Sequence, residues 1–140
     1  AVNQKLHYVT FLGTSRLAGI QEHLATARGI KLCTSAVVPN PRTSKLPIVE
    51  QYRAAMQKYL PNKGLSPFSL EGYIAMQLLV EFLSKLTPAA RLGHLVSSIQ
   101  QAGSFDFHGL SLHGAGSSLS RTVWLNEGEG KDWYAYVVPA

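Results

Sequence analysis

The sequence predicts an α/β fold, and three observations predict it. Two short β-type runs flank a helical stretch near the start. Three helical stretches then follow one another, and the last third turns to β-type runs separated by glycine-rich turns. The resulting order, β-α-β-α-α-α-β-β-β, is that of an α/β chain. Composition agrees: 140 residues suit one domain, and 46% hydrophobic against 15% charged residues supply a packed core.

The first run, His7 to Leu12, ends at Gly13-Thr14-Ser15. Leu17, Ile20 and Leu24 then share one helical face from Arg16 to about Ala25, with Thr14 or Ser15 as cap and Arg28-Gly29 as stop. Ile30 to Val38 is rich in β-branched residues and predicts a second strand, broken by Pro39-Asn40-Pro41. Leu46 to Leu60 repeats Ile48, Val49, Tyr52, Met56, Tyr59 and Leu60 at helical spacing. Pro47 lies in the first turn, where its missing N–H costs nothing.

Ser69 to Leu86 is the strongest helix. Apolar residues cover most of its circumference, and only Gln77, Glu81 and Lys85 form a polar stripe. A helix of that kind demands burial on several sides. Thr87-Pro88 opens another helix with Leu92, Leu95, Val96 and Ile99 on its apolar face, and Gly103 ends it. Phe105 to His113, Arg121 to Asn126 and Trp133 to Val138 read as three strands, with turns at 114–118 and 127–130.

Several function classes find no support. The net charge is +5, but the basic residues are scattered and lack the one-face clustering of a nucleic-acid binder. No run of roughly 18 apolar residues exists to span a membrane, and the opening residues do not read as a signal peptide. The single cysteine, Cys33, forms no internal disulfide and reads as a small buried hydrophobe on a strand. His108 and His113 lack the spacing of a zinc helix, so no metal site is expected. His113-Gly114-Ala115-Gly116-Ser117 is followed by no Lys-Ser/Thr pair and reads as a turn rather than a phosphate loop. No nucleophile–base pair or paired carboxylates mark a catalytic centre, and the chain reads as a non-enzyme without catalytic residues or cofactor.

Two places suggest ligand contact. Thr14, Ser15 and Arg16 stand at the carboxyl end of a strand and the start of a helix, where open α/β sheets bind ligands. Free N–H groups and the helix dipole favour an anion there, and Arg16 can clamp it bidentately. Plain helix capping with Arg16 in water accounts for the same residues. In the second place, Ser69-Leu70-Glu71-Gly72-Tyr73, a glycine sits inside a helix at a cost of about 1 kcal/mol relative to alanine. Either a ligand approaches the backbone beside Tyr73, or a neighbouring helix packs closely there.

Five stretches in order carry a resemblance: Phe11-Leu12-Gly13-Thr14-Ser15, Ala27-Arg28-Gly29-Ile30, Val37-Val38-Pro39-Asn40-Pro41, Leu46-Pro47-Ile48-Val49 and Ser69-Leu70-Glu71-Gly72-Tyr73-Ile74-Ala75. Together they resemble the C-terminal portion of type I periplasmic solute-binding proteins, of the branched-chain amino-acid receptor kind. The resemblance implies two Rossmann-like α/β lobes closing on a solute by a hinge motion. It assigns residues 1–37 to the end of the second lobe, 38–120 to the tail of the first, and 121–140 to a return to the second. Thr14, Ser15 and Arg16 would face the cleft from one lobe, Glu71 and Tyr73 from the other.

The implied role is extracytoplasmic capture for the permease subunits of an ABC importer. The alternative is a sensory or regulatory module on the same fold. Amino-acid receptors of this kind often place an acidic residue after the Gly13-type strand; with Thr14-Ser15-Arg16 here, the expected solute is amino-acid-like or carboxylate-bearing, and the carboxylate gains weight. Receptors of this kind are also much longer, so helix 69–86 is expected to need cover from another chain, from self-association or from rearranged packing.

Overall fold

The computed structural model describes residues 9–13, 30–86, 91–114, 118–128 and 131–139. Strands β1 (Val9–Gly13) and β2 (Ile30–Ala36) are followed by helices α1 (Pro47–Tyr59), α2 (Pro67–Lys85) and α3 (Arg91–Gln101), and then by β3 (Ser104–Phe107), β4 (Leu110–His113), β5 (Thr122–Asn126) and β6 (Tyr134–Val137). The fold is α/β, as predicted. The helical stretch expected over 16–25 and the Thr87-Pro88 cap lie outside the described residues.

Four strands form one sheet in the order β1-β2-β5-β6. β1 runs parallel to β2, with Gly13 opposite Thr34. β5 returns antiparallel to β2, with Thr34 opposite Asn126 and Ala36 opposite Trp124, and β6 pairs antiparallel with β5. Thr34 thus lies on the central strand between two neighbours and is buried. Cys33 is half-buried on β2 rather than fully buried as expected.

The largest apolar core lies among the helices and the β3–β4 hairpin. Val38, Ile48, Val49, Tyr52, Leu70, Ile74, Leu78, Phe82, Phe107 and Leu112 form it. Ile48, Val49 and Leu70 are fully enclosed, each contributing about 1.5–3 kcal/mol relative to exposure. Phe82 meets Phe105 edge-on at 5.7 Å between ring centroids, joining α2 to the hairpin.

Helix ends follow the sequence signals. The Ser66 hydroxyl accepts the Ser69 N–H at 3.2 Å and caps α2, with Pro67 at the first helical position; α2 starts two residues earlier than predicted. α1 has no side-chain cap, but its Ile48 N–H donates to the His108 carbonyl at 3.2 Å, so the hairpin turn satisfies one orphan donor. Gly103 closes α3 at φ 63°.

The strand predicted over Phe105 to His113 is instead two strands. Phe107 pairs with Leu110 around a two-residue turn, His108-Gly109. Both turn residues have positive φ, 48° and 92°, the signature of a hairpin turn whose twist suits the flanking strands. Asp106 steadies it by accepting the Gly109 N–H at 3.1 Å. A Cβ on Gly109 would sit 3.0 Å from Pro47 Cδ, so glycine is required both by conformation and by the approach of α1.

Candidate functional site

The carboxyl ends of the two parallel strands mark the first candidate region. β1 ends at Gly13 beside Thr34, and β2 runs two residues further to Ala36. Ligands of open α/β sheets bind outside such strand ends. Thr14, Ser15 and Arg16 follow Gly13 directly in sequence and lie outside the described residues.

From the end of β2 the chain crosses through Val37 to Leu46 into α1, and this crossing is firmly tied. Asn40 Oδ1 accepts the Arg42 N–H at 2.9 Å, and the Asn40 carbonyl accepts the Ser44 N–H at 3.2 Å. The Arg53 guanidinium of α1 donates to the carbonyls of Ser44 at 2.8 Å, Pro41 at 3.3 Å and Arg42 at 3.4 Å. A single guanidinium nitrogen, Nη1, thereby shares its two hydrogens among three loop carbonyls that regular structure leaves open, most closely that of Ser44.

Glu71 and Tyr73 both lie in the first turns of α2. Glu71 is exposed. Tyr73 is half-buried against the core, its ring tilted 59° to that of Tyr52 at 5.7 Å. Beside them, Tyr52 Oη and Ser69 Oγ share a hydrogen bond at 2.6 Å, and Tyr52 Oη accepts the Ser66 N–H at 3.3 Å. A Cβ placed on Gly72 would meet nothing within 4 Å, so no described element packs closely on that glycine.

The sequence reading missed a concavity of about 370 Å³ between the crossing and the β5–β6 hairpin. Thr43 Oγ1 donates to Asp132 Oδ1 at 2.7 Å across it, linking residues 89 apart in sequence. Two braces hold the adjacent turn: Lys131 Nζ donates to Glu127 Oε2 at 2.7 Å and Tyr134 Oη to Glu127 Oε1 at 3.0 Å. Those bonds to Glu127 are the main cause of the raised pKa of both Lys131 and Tyr134. The tryptophans at this concavity give no motif in sequence; a strand fold is needed to bring Trp124 to the crossing.

Among the described residues no three His, Cys, Asp or Glu side chains gather where they could hold a metal ion. His113 Nδ1 instead pairs with Ser104 Oγ at 2.8 Å across the hairpin, and His108 Nε2 lies 3.6 Å from Glu81 Oε2. No described helix is long and apolar enough to cross a membrane.

The parallel β1–β2 pair, its antiparallel extension by β5 and β6, and the helical unit reached through one tight crossing define part of a type I periplasmic-binding-protein fold. Two solved structures show the likeness. A protein from Rhodopirellula baltica SH 1, described as a possible leucine/isoleucine/valine-binding protein, superposes with a TM-score of 0.72 at 28% identity, over 91% of this chain and 36% of that one. An extracellular ligand-binding receptor from Verminephrobacter eiseniae ef01-2 superposes with a TM-score of 0.63 at 23% identity, over 91% of this chain and 37% of that one. The chain thus spans little more than a third of either structure. No protein-family model and no curated protein sequence matches it.

Proposed function

We propose that this chain is part of the extracytoplasmic solute-binding component of an ABC transporter, which captures an amino-acid-like or carboxylate-bearing solute between two lobes and delivers it to membrane permease subunits. The observation that carries this reading is the 0.72 superposition on the Rhodopirellula baltica protein, over 91% of the present chain. The role is capture, not catalysis.

The sheet topology supports the division into lobes. Strands from 9–36 and from 122–137 share one sheet, whereas 47–113 contribute three helices and a hairpin with their own core. Residues 1–37 and 121–140 then belong to one lobe and 38–120 to the other, with the Arg53-tied crossing between them. In this reading Thr14, Ser15 and Arg16 offer hydroxyl and guanidinium donors to a solute carboxylate at the end of β1. Glu71 and Tyr73 approach from the start of α2, Glu71 as an acceptor and Tyr73 through the edge of its ring.

Isothermal titration of wild type and variants tests the assignment. Arg16→Ala should weaken carboxylate-bearing solutes by tenfold or more, the effect of losing roughly 1.4 kcal/mol, and should leave neutral analogues unchanged. Equal loss for both classes would remove Arg16 from the site. Tyr73→Ala should also weaken binding; unchanged affinity in a folded variant would leave Tyr73 as a packing residue alone.

A further inference from the structure

We propose that the concavity between the crossing and the β5–β6 hairpin is a further binding site, lined by other residues than Thr14, Ser15 and Arg16, and that it takes a small zwitterion with a flat apolar side chain: an aromatic amino acid. Its walls combine three kinds of group. Trp124 and Trp133 are both half-buried there, together with Leu46, and supply apolar surface. Lys45 is exposed at the edge and makes no ion pair among the described residues. Asp132 brings a carboxylate.

The charges are placed for use rather than for mutual neutralisation. Lys131, the neighbouring cation, is committed to Glu127 at 2.7 Å, whereas Lys45 and Asp132 do not pair with each other. Asp132 Oδ1 is occupied, accepting from Thr43 Oγ1 at 2.7 Å and from the Trp133 N–H at 2.9 Å. Oδ2 has no partner among the described residues. An unpaired cation and an unpaired anionic oxygen line the same concavity as two indoles, a set of groups that suits a ligand carrying both charges and an aromatic ring. A simple anion would meet Asp132 unfavourably, and a simple cation would meet Lys45.

The size and rigidity agree with this ligand. About 370 Å³ lies within the range of small-molecule sites. The crossing wall is fixed by Arg53 on three carbonyls, and the hairpin wall by the two bonds to Glu127. The crossing wall is therefore held in place by its own side-chain bonds, which lowers the ordering cost of binding there. Indole faces stack well with a second aromatic ring in offset or edge-on geometry.

The chain's two tryptophans both line this site, so they report on it directly. L-Phenylalanine, 3-phenylpropionate and phenethylamine would be titrated into the full chain, with tryptophan emission and the two indole N–H signals in NMR as readouts. Phenylalanine should bind saturably in the millimolar range or tighter and shift both indole signals. The two single-charge analogues should bind at least tenfold more weakly. Lys45→Met should weaken phenylalanine and phenylpropionate but not phenethylamine. Asp132→Asn, which keeps an acceptor for Thr43, should weaken phenylalanine and phenethylamine but not phenylpropionate. Absence of saturable binding, binding that moves neither indole signal, or affinity unchanged in both variants would each overturn the proposal. Lys45 and Asp132 line this concavity, whereas the strand-end reading is tested by Arg16→Ala, so the two readings fail separately.

Discussion

Helices α1 and α2 lie side by side, yet they use their apolar residues differently. α1 carries one apolar face and encloses its first half, Ile48, Val49 and Tyr52, in the core; Tyr59 and Leu60 emerge only where the helix ends. α2 is apolar on nearly every side but buries a single row, Leu70, Ile74, Leu78 and Phe82. Met76 and Val80, on the far side, stay 59% and 57% exposed, and Gly72 faces open space nearby. The lesson is that periodicity reports a face when the helix has one face, as α1 does. It reports only a demand for cover when apolar residues go all round, and among the described residues only the row from Leu70 to Phe82 is buried. The two companion structures share this fold in chains about two and a half times as long.

The sharpest way to break this contrast is to cut into each row of α2 in turn. Leu70→Ala, at a fully enclosed position, should destabilise by about 2–5 kcal/mol in urea denaturation. Met76→Ala, on the open face of the same helix, should change stability by less than about 0.5 kcal/mol. Equal costs at the two positions would mean that the open face is covered in solution. Gly109→Ala should rank next, at about 1–2 kcal/mol, because it forces a side chain into left-handed backbone and towards Pro47, loosening α1 from the hairpin. Thermal unfolding with the Ile48 amide followed by hydrogen exchange would show whether the loss begins at that contact.

Tyr52→Phe removes the hydroxyl that binds Ser69 Oγ and accepts the Ser66 N–H, leaving the ring contact with Tyr73 in place. A loss of about 1 kcal/mol is expected, close to the worth of one buried hydrogen bond. A neutral result would mean that water replaces the hydroxyl at the start of α2.

The smallest effect concerns the polar stripe of α2. The hydrogen bond from Lys85 at 2.7 Å is the main cause that holds the Glu81 carboxyl below its ordinary pKa; burial opposes it, and the charges of Lys85 and His108 assist it. A depressed carboxyl pKa means that the folded chain binds the proton less readily than the unfolded one. The stabilisation is therefore present above the ordinary glutamate pKa and is lost as pH falls through the lowered folded value. The pair is largely exposed, so Glu81→Gln should cost only a few tenths of a kcal/mol near neutral pH and nothing in strong acid. A cost that persists unchanged at low pH would assign the role of Glu81 to packing.

Sequence and structure agree best where a local rule decides the outcome. β2, α1 and the Gly103 terminus follow from β-branched residues, helical spacing and glycine's tolerance of positive φ. The break at His108-Gly109 is not legible in sequence because His-Gly is not among the usual hairpin-turn pairs, and the hairpin is fixed by tertiary contact with Pro47 and Ile48. At the candidate sites, local reading stopped earlier. Gly13-Thr14-Ser15 announces a strand end. Nothing in sequence, however, brings Thr43 to Asp132 or turns Tyr73 onto Tyr52, since these contacts join residues that are 89 and 21 positions apart.

The most direct test of the solute-capture reading is a thermal-shift screen of the protein carrying this chain against amino acids, aromatic carboxylates and dicarboxylates. Solute at about 100 times its dissociation constant adds roughly 2.7 kcal/mol to folded-state stability, a shift readily seen. A clear rise in Tm with amino acids or carboxylates, absent for their uncharged analogues, is the predicted result. No rise with any member of the panel would contradict capture of an amino-acid-like or carboxylate-bearing solute.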